Sequence, residues 1–117
     1  MVVVAAGPIY IYGKPVDMRK SFDGLYELVS RCLLEQPTSG DLFIFINRKK
    51  TYLKGLIWDR TGFVIIAKKL ERGQFRLRNQ AEKVVIDRSS LRMLLDGVSV
   101  GGTEISGSKQ GCSGRLS

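Results

Sequence analysis

A chain of 117 residues with 44% apolar and 26% charged side chains has room for one domain with its own core, and its balance is that of a globular protein rather than a disordered or membrane chain. Net charge is +8 and histidine is absent, which argues against zinc sites and histidine-based acid or base chemistry. The segment from Arg48 to Arg78 holds ten basic residues against two acidic ones, so it carries the whole excess, and general solubility does not require such segregation.

The opening run MVVVAAGPIYIYGKPVD mixes β-branched and aromatic residues with Gly7-Pro8 and Gly13-Lys14-Pro15, and predicts one or two short strands joined by turns. It lacks the basic leader of a secretory signal. No apolar run approaches the roughly 20 residues of a membrane span, so a cytoplasmic protein with no membrane partner is expected. In MRKSFDGLYELVSRCLLEQP the apolar positions Phe22, Leu25, Leu28, Val29, Cys32 and Leu33 share one face at helical spacing. Asp17 or Ser21 is available as a cap and Pro37 lies beyond the end. The two cysteines, Cys32 in this helix and Cys112 near the C-terminus, show neither a disulfide framework nor metal-ligand spacing, and Cys32 reads as core packing.

After Thr38-Ser39-Gly40 the period changes. Leu42 to Ile46, much of Tyr52 to Trp58, and Phe63 to Ala67 are apolar on both faces, which predicts three neighbouring strands in the middle of a sheet covered on both sides. Asn47 to Lys50 and Asp59-Arg60-Thr61-Gly62 are the hairpin turns between them. A third turn, Leu70 to Gly73, leads to a short strand over Gln74 to Leu77. Lys83 to Ile86 reads as the last strand, and Asp87 caps a short helix over Ser89 to Asp96 closed by Gly97. From Val98 onward the glycine- and serine-rich sequence has little to bury and predicts a flexible tail. The expected organisation is a single α+β domain over 1–97 and a tail over 98–117. Its fold is an antiparallel β-meander sheet of about five to six strands with one long N-terminal helix and a short C-terminal helix.

Successive hairpin turns alternate between the two ends of a sheet. Arg48, Lys49 and Lys50 should therefore lie at the same end as Lys68, Lys69 and Arg72, with Arg60 about 25 Å away. Convergent cations suffice for phosphate contact. Tyr52, Trp58, Phe63 and Phe75 interleave with them as stacking surfaces would, although aromatics in strands more often pack in cores or cross-strand pairs. Lysines at a sheet edge also protect against aggregation. Gly7 and Gly13-Lys14 do not make a phosphate loop: five residues separate the glycines where four are required, and Pro15 stands at the hydroxyl position. The carboxylates Asp17, Asp23, Asp41, Asp59 and Glu71 have cap, turn or first-turn explanations that compete with a metal-dependent nuclease.

Several motifs resemble one family. They are Asp17-Met18-Arg19-Lys20-Ser21-Phe22-Asp23-Gly24-Leu25, Gly40-Asp41-Leu42-Phe43-Ile44-Phe45 with Asn47-Arg48, Leu53-Lys54-Gly55-Leu56-Ile57-Trp58-Asp59 with Gly62-Phe63, and Lys68-Lys69-Leu70-Glu71-Arg72-Gly73-Gln74-Phe75. Over about Val4 to Gly97 the chain resembles the small accessory protein of insertion sequence 66 family transposons, the second-open-reading-frame-like or TnpB family. The resemblance implies a bacterial mobile-element protein that works beside a separate, larger transposase, with no catalytic activity or cofactor of its own. Arg48, Lys54, Lys68, Lys69 and Arg72 fall within the family motifs; Lys49, Lys50 and Arg76 join them as expected phosphate contacts. Non-specific DNA, the transposase and other proteins of the same element, and a second copy of the chain are the expected partners. The competing expectation is a protein adaptor that meets the transposase without touching DNA.

Overall fold

The computed structural model describes residues 7–105. Six strands form one sheet: β1 (Ile9–Tyr12), β2 (Leu42–Ile46), β3 (Tyr52–Asp59), β4 (Gly62–Lys69), β5 (Lys83–Ile86) and β6 (Thr103–Glu104), with helices α1 (Phe22–Glu27) and α2 (Arg88–Leu95). The strand order is β4-β3-β2-β1-β5-β6.

Strand periodicity decides where the core sits. Side chains alternate faces along a strand, and here both faces are apolar. Ile9, Ile11, Leu42, Ile44, Leu53, Ile57, Val84 and Ile86 build one core with Phe75, Leu94 and Val100. Tyr12, Phe43, Phe45 and Leu56 build the other with Leu25, Leu28, Val29 and Leu33 from the α1 segment. Each helix thus covers one side of the sheet.

The hairpins β2–β3 and β3–β4 are antiparallel and consecutive, but the expected all-antiparallel meander is incorrect. β1 lies parallel to β2, in the register Ile9↔Leu42 to Ile11↔Ile44, and antiparallel to β5 on its other side. The reason is the long connection from Gly13 to Asp41, which carries α1 and so has the length a parallel crossover needs. The expected long N-terminal helix is also incorrect. Phe22–Glu27 is a six-residue α-helix, followed by a five-residue π-helical stretch, Leu28–Cys32, in which the Leu33 N–H donates to the Leu28 carbonyl (3.0 Å). Asp17 does not cap it, because its carboxylate is held by Arg19, and the Ser21 side chain makes no cap bond. Leu34 closes the segment in the left-handed region (φ 56°), a position that glycine takes more often, with the Glu35 N–H donating to the Val29 carbonyl six residues back. Cys32 is buried and disulfide-bonded, which corrects the argument from spacing, since sequence separation places no limit on approach in space. Cys112 lies outside the described residues.

No strand forms over Gln74 to Leu77; Leu77 makes one parallel bridge to Val100. Asp87 does cap α2, accepting from the Ser90 N–H (2.8 Å). β5 is followed by β6, so it is not the last strand. Between Val98 and Ile105, Val100 is 2% exposed and β6 pairs with β5. The rest of the expected tail, and the residues before Gly7, lie outside the described residues.

Candidate nucleic-acid interface

Asn47 shapes the basic turn. Its Oδ1 accepts from the Thr51 and Tyr52 N–H groups (2.9 and 3.0 Å), and its carbonyl accepts from the Lys50 N–H (3.0 Å). With both backbone ends tied and Lys50 in the left-handed region (φ 62°), Arg48, Lys49 and Lys50 are all turned to solvent.

The next loop is fastened to this turn. Phe75, 1% exposed, anchors it in the core. The Phe75 N–H donates to the Lys50 carbonyl (2.7 Å), Gln74 Nε2 to the Lys49 carbonyl (3.0 Å), and the Leu70 N–H to the Thr51 carbonyl (2.8 Å). Arg72 therefore sits in a loop tied to the turn that carries Arg48 to Lys50. The β3–β4 register, Tyr52↔Lys69 and Leu53↔Lys68, brings both lysines to the same end of the sheet on opposite faces. Arg60 is at the far end, in the turn after Asp59. Six cations share one end. Among the described residues, none of them has an acidic partner within 4 Å.

The other two expected contacts differ. Lys54 is partly buried on the α1 face, and its Nζ donates to the Lys20 carbonyl (2.9 Å), where it ties β3 to the segment before α1. Arg76 is exposed, and its backbone carbonyl accepts from the Val100 N–H (2.9 Å), while among the described residues no bond ties it to the turn. Of the four aromatics, Phe75 is core, and Trp58 and Phe63 pack edge to face at the far end (4.9 Å between centroids). Tyr52 alone of the four is both half-exposed and at the basic end, with Lys69 Nζ 5.9 Å from its ring centroid.

An open groove of about 550 Å³ runs beside the turn, between Arg48, Lys49, Tyr52 and Lys69 on one wall and Pro15, Asp17 and Met18 on the other. Sequence reasoning missed that second wall. It is present because β1 runs parallel to β2, so the segment leaving β1 emerges at the basic end, where the Val16 N–H donates to the Ile46 carbonyl (3.0 Å); no local signal encodes that pairing. Lys14 also emerges here but is paired with Glu82 (3.0 Å).

Asp17 brings an acid to a basic groove, and Arg19 neutralises it. The guanidinium grips both carboxylate oxygens (Nε to Oδ1 3.1 Å, Nη2 to Oδ2 2.6 Å) while the Arg19 N–H donates to Oδ1. These bonds to Arg19 hold the Asp17 carboxyl down at about 2, as charge-assisted bonds to an ionised acid do. A depressed pKa stabilises the fold above the unfolded value of 3.8, and that contribution is lost as pH falls from there toward 2. A carboxyl-detected NMR titration is expected to place the Asp17 midpoint near 2, and Arg19→Ala to move it up toward 3.8; an unchanged midpoint in that variant would remove Arg19 as the cause.

The other carboxylates are scattered. Asp41 bonds with Ser39 at the start of β2 and Asp59 lies at the far end of β3. Among the described residues, no three metal-ligating side chains gather.

The family model described as "IS66 Orf2 like protein" matches residues 7–104. A relative from Sinorhizobium fredii, the uncharacterized protein y4jC, is 37% identical over 67 residues, covering 57% of this chain and 57% of that protein. A second from the same organism, the uncharacterized protein y4hO, is 31% identical over 91 residues, covering 77% of this chain and 79% of its own. The match thus spans little more than half the length of y4jC. No solved structure matches.

Proposed function

Because the chain belongs to the IS66 Orf2-like family, we propose that it is a non-catalytic accessory protein of insertion-sequence transposition that holds DNA by its phosphates at the basic end of the sheet. The observation that supports this reading is the convergence of Arg48, Lys49, Lys50, Lys68, Lys69 and Arg72 without acidic neighbours among the described residues. Cations that no internal acid neutralises keep their counterion-displacing capacity for a polyanion. The alternation of Lys68 and Lys69 onto opposite faces suits a backbone that crosses the end of the sheet.

Binding to duplex DNA between about 50 and 200 mM salt tests it. Four to six phosphate contacts predict a log–log slope of about −4 to −5. Replacing Arg48, Lys49 and Lys50 together with glutamine is expected to make that slope shallower by about 2 to 3. Lys54→Gln should leave it unchanged, because that ammonium serves the Lys20 carbonyl. Salt-insensitive binding, or none at low salt, would remove DNA from the proposal and leave the adaptor reading. A transposase pull-down that survives nuclease treatment would favour that alternative.

A further inference from the structure

Strand β4 has the composition of an internal strand and the position of an edge. Val64 and Ile66 pack toward the α2-side core, and Phe63 and Ile65 toward the α1-side core, as in strands covered on both faces. Natural edges are usually short, or interrupted by proline, a bulge or a central charge. β4 is eight residues long, pairs with β3 throughout without a bulge, and carries its charges, Lys68 and Lys69, at one end. The opposite edge, β6, has two residues.

The bond from the Leu70 N–H to the Thr51 carbonyl, in the register Tyr52↔Lys69, fixes which backbone groups face β3. Neighbouring residues turn those groups to opposite sides. Gly62, Val64, Ile66 and Lys68 therefore bond to β3, while Phe63, Ile65, Ala67 and Lys69 present theirs outward. Among the described residues, no hydrogen bond outside the β3 ladder reaches these outward groups.

We propose that β4 pairs antiparallel with β4 of a second copy about a two-fold axis at Ile66, joining the two sheets into one. A two-fold axis requires one residue to face its own counterpart, and the ladder requires outward groups to meet outward groups. Centring on Ile66 satisfies both and uses all four outward residues. Ile65 then faces Ala67 of the second copy, Phe63 faces Lys69, and Val64 faces Lys68. Apolar meets apolar in the middle, and each Lys69 ammonium lies against an aromatic ring. No lysine opposes a lysine, whereas centring on Lys68 would set like charges face to face. Asp59, at the β3–β4 turn, is brought to the end where the second copy's Lys68 and Lys69 lie. The fit is to the strand's own sequence, which is why a second copy is the occupant.

The full chain at tens of micromolar should sediment at twice its 13.1 kDa mass. Ala67→Pro removes one outward N–H and spares the β3 ladder, and Ala67→Arg sets a cation opposite Ile65 from an exposed position. Each is expected to weaken the dimer about tenfold or more with the unfolding midpoint little changed. Under mild oxidation, Ile66→Cys should cross-link two copies and Val64→Cys should not. A monomer at these concentrations, a dimer indifferent to both Ala67 variants, or equal cross-linking from the two cysteines would overturn the proposal. The readout is independent of DNA, so the salt experiment and this one can fail separately.

Discussion

Gly13→Ala is expected to destabilise the protein by about 3 kcal/mol, at the upper end of what overpacking costs, and so to lower the urea midpoint by about 1 to 3 M. A methyl group at this position would fall inside the envelope of the Ala81 carbonyl oxygen, with the Ala81 carbonyl carbon and Glu82 Cα close behind. Those atoms are backbone and cannot rotate aside. The Gly13 N–H donates to the Glu82 carbonyl (2.8 Å), and one residue earlier Tyr12 pairs with Lys83, so separating the two chains would open the β1–β5 ladder. Gly73→Ala supplies the contrast. Gly73 is in the left-handed region (φ 78°) with nothing within 4 Å of the added carbon, so it should cost only the conformational penalty of about 1 to 2 kcal/mol. Equal midpoints for the two variants would show that close approach at Gly13 is not what limits the site.

The difference between these glycines also marks what could be read from the sequence. Gly13 reads as a turn residue, and it does end β1, but the demand on it comes from Ala81, a partner 68 positions away. The hairpins β2–β3 and β3–β4 were legible because each is closed by a short turn: Asn47 bonds the first locally, and the second spans two residues between the paired Asp59 and Gly62, although Arg60 (φ 53°) and not Gly62 takes its left-handed position. The shared end of the six cations follows from those hairpins and was legible with them. The groove's other wall, the tether on Lys54 and the engagement of Asp17 by Arg19 were not, since the first depends on parallel pairing of β1 with β2, which no short-range pattern marks. The antiparallel expectation failed for the same reason. FVIIA predicted an internal strand, and β4 is an edge in this chain; composition reports what covers a strand, and that cover need not come from the same molecule.

The largest asymmetry should appear at Lys83 and Glu35. Lys83 is the buried charge of the sheet, 6% exposed, on the α1 face of β5. Its Nζ is bonded to Glu35 Oε2 and lies 5.3 Å from the Tyr10 ring centroid. The left-handed turn at Leu34 is what aims Glu35 back at the sheet. Breaking a buried pair costs most when the survivor stays buried. Glu35→Ala strands the Lys83 ammonium, whose side chain is 8% exposed, and is expected to cost about 3 kcal/mol, or about 10 °C or more in Tm for a domain of this size. Lys83→Met leaves a Glu35 side chain that is 25% exposed and can be hydrated, so about half that loss is expected. Lys83→Met combined with Glu35→Leu should recover to within about 1 kcal/mol of the parent, because apolar replacement of both charges avoids the desolvation cost. Tyr10 gives an independent readout. Its pKa is raised first by burial and next by the Glu35 charge, so its ultraviolet titration should move down in Glu35→Ala while the burial contribution remains. A double variant no better than the worse single one would mean that the pair is held by its surroundings and that charge pairing is not what β5 needs at this position.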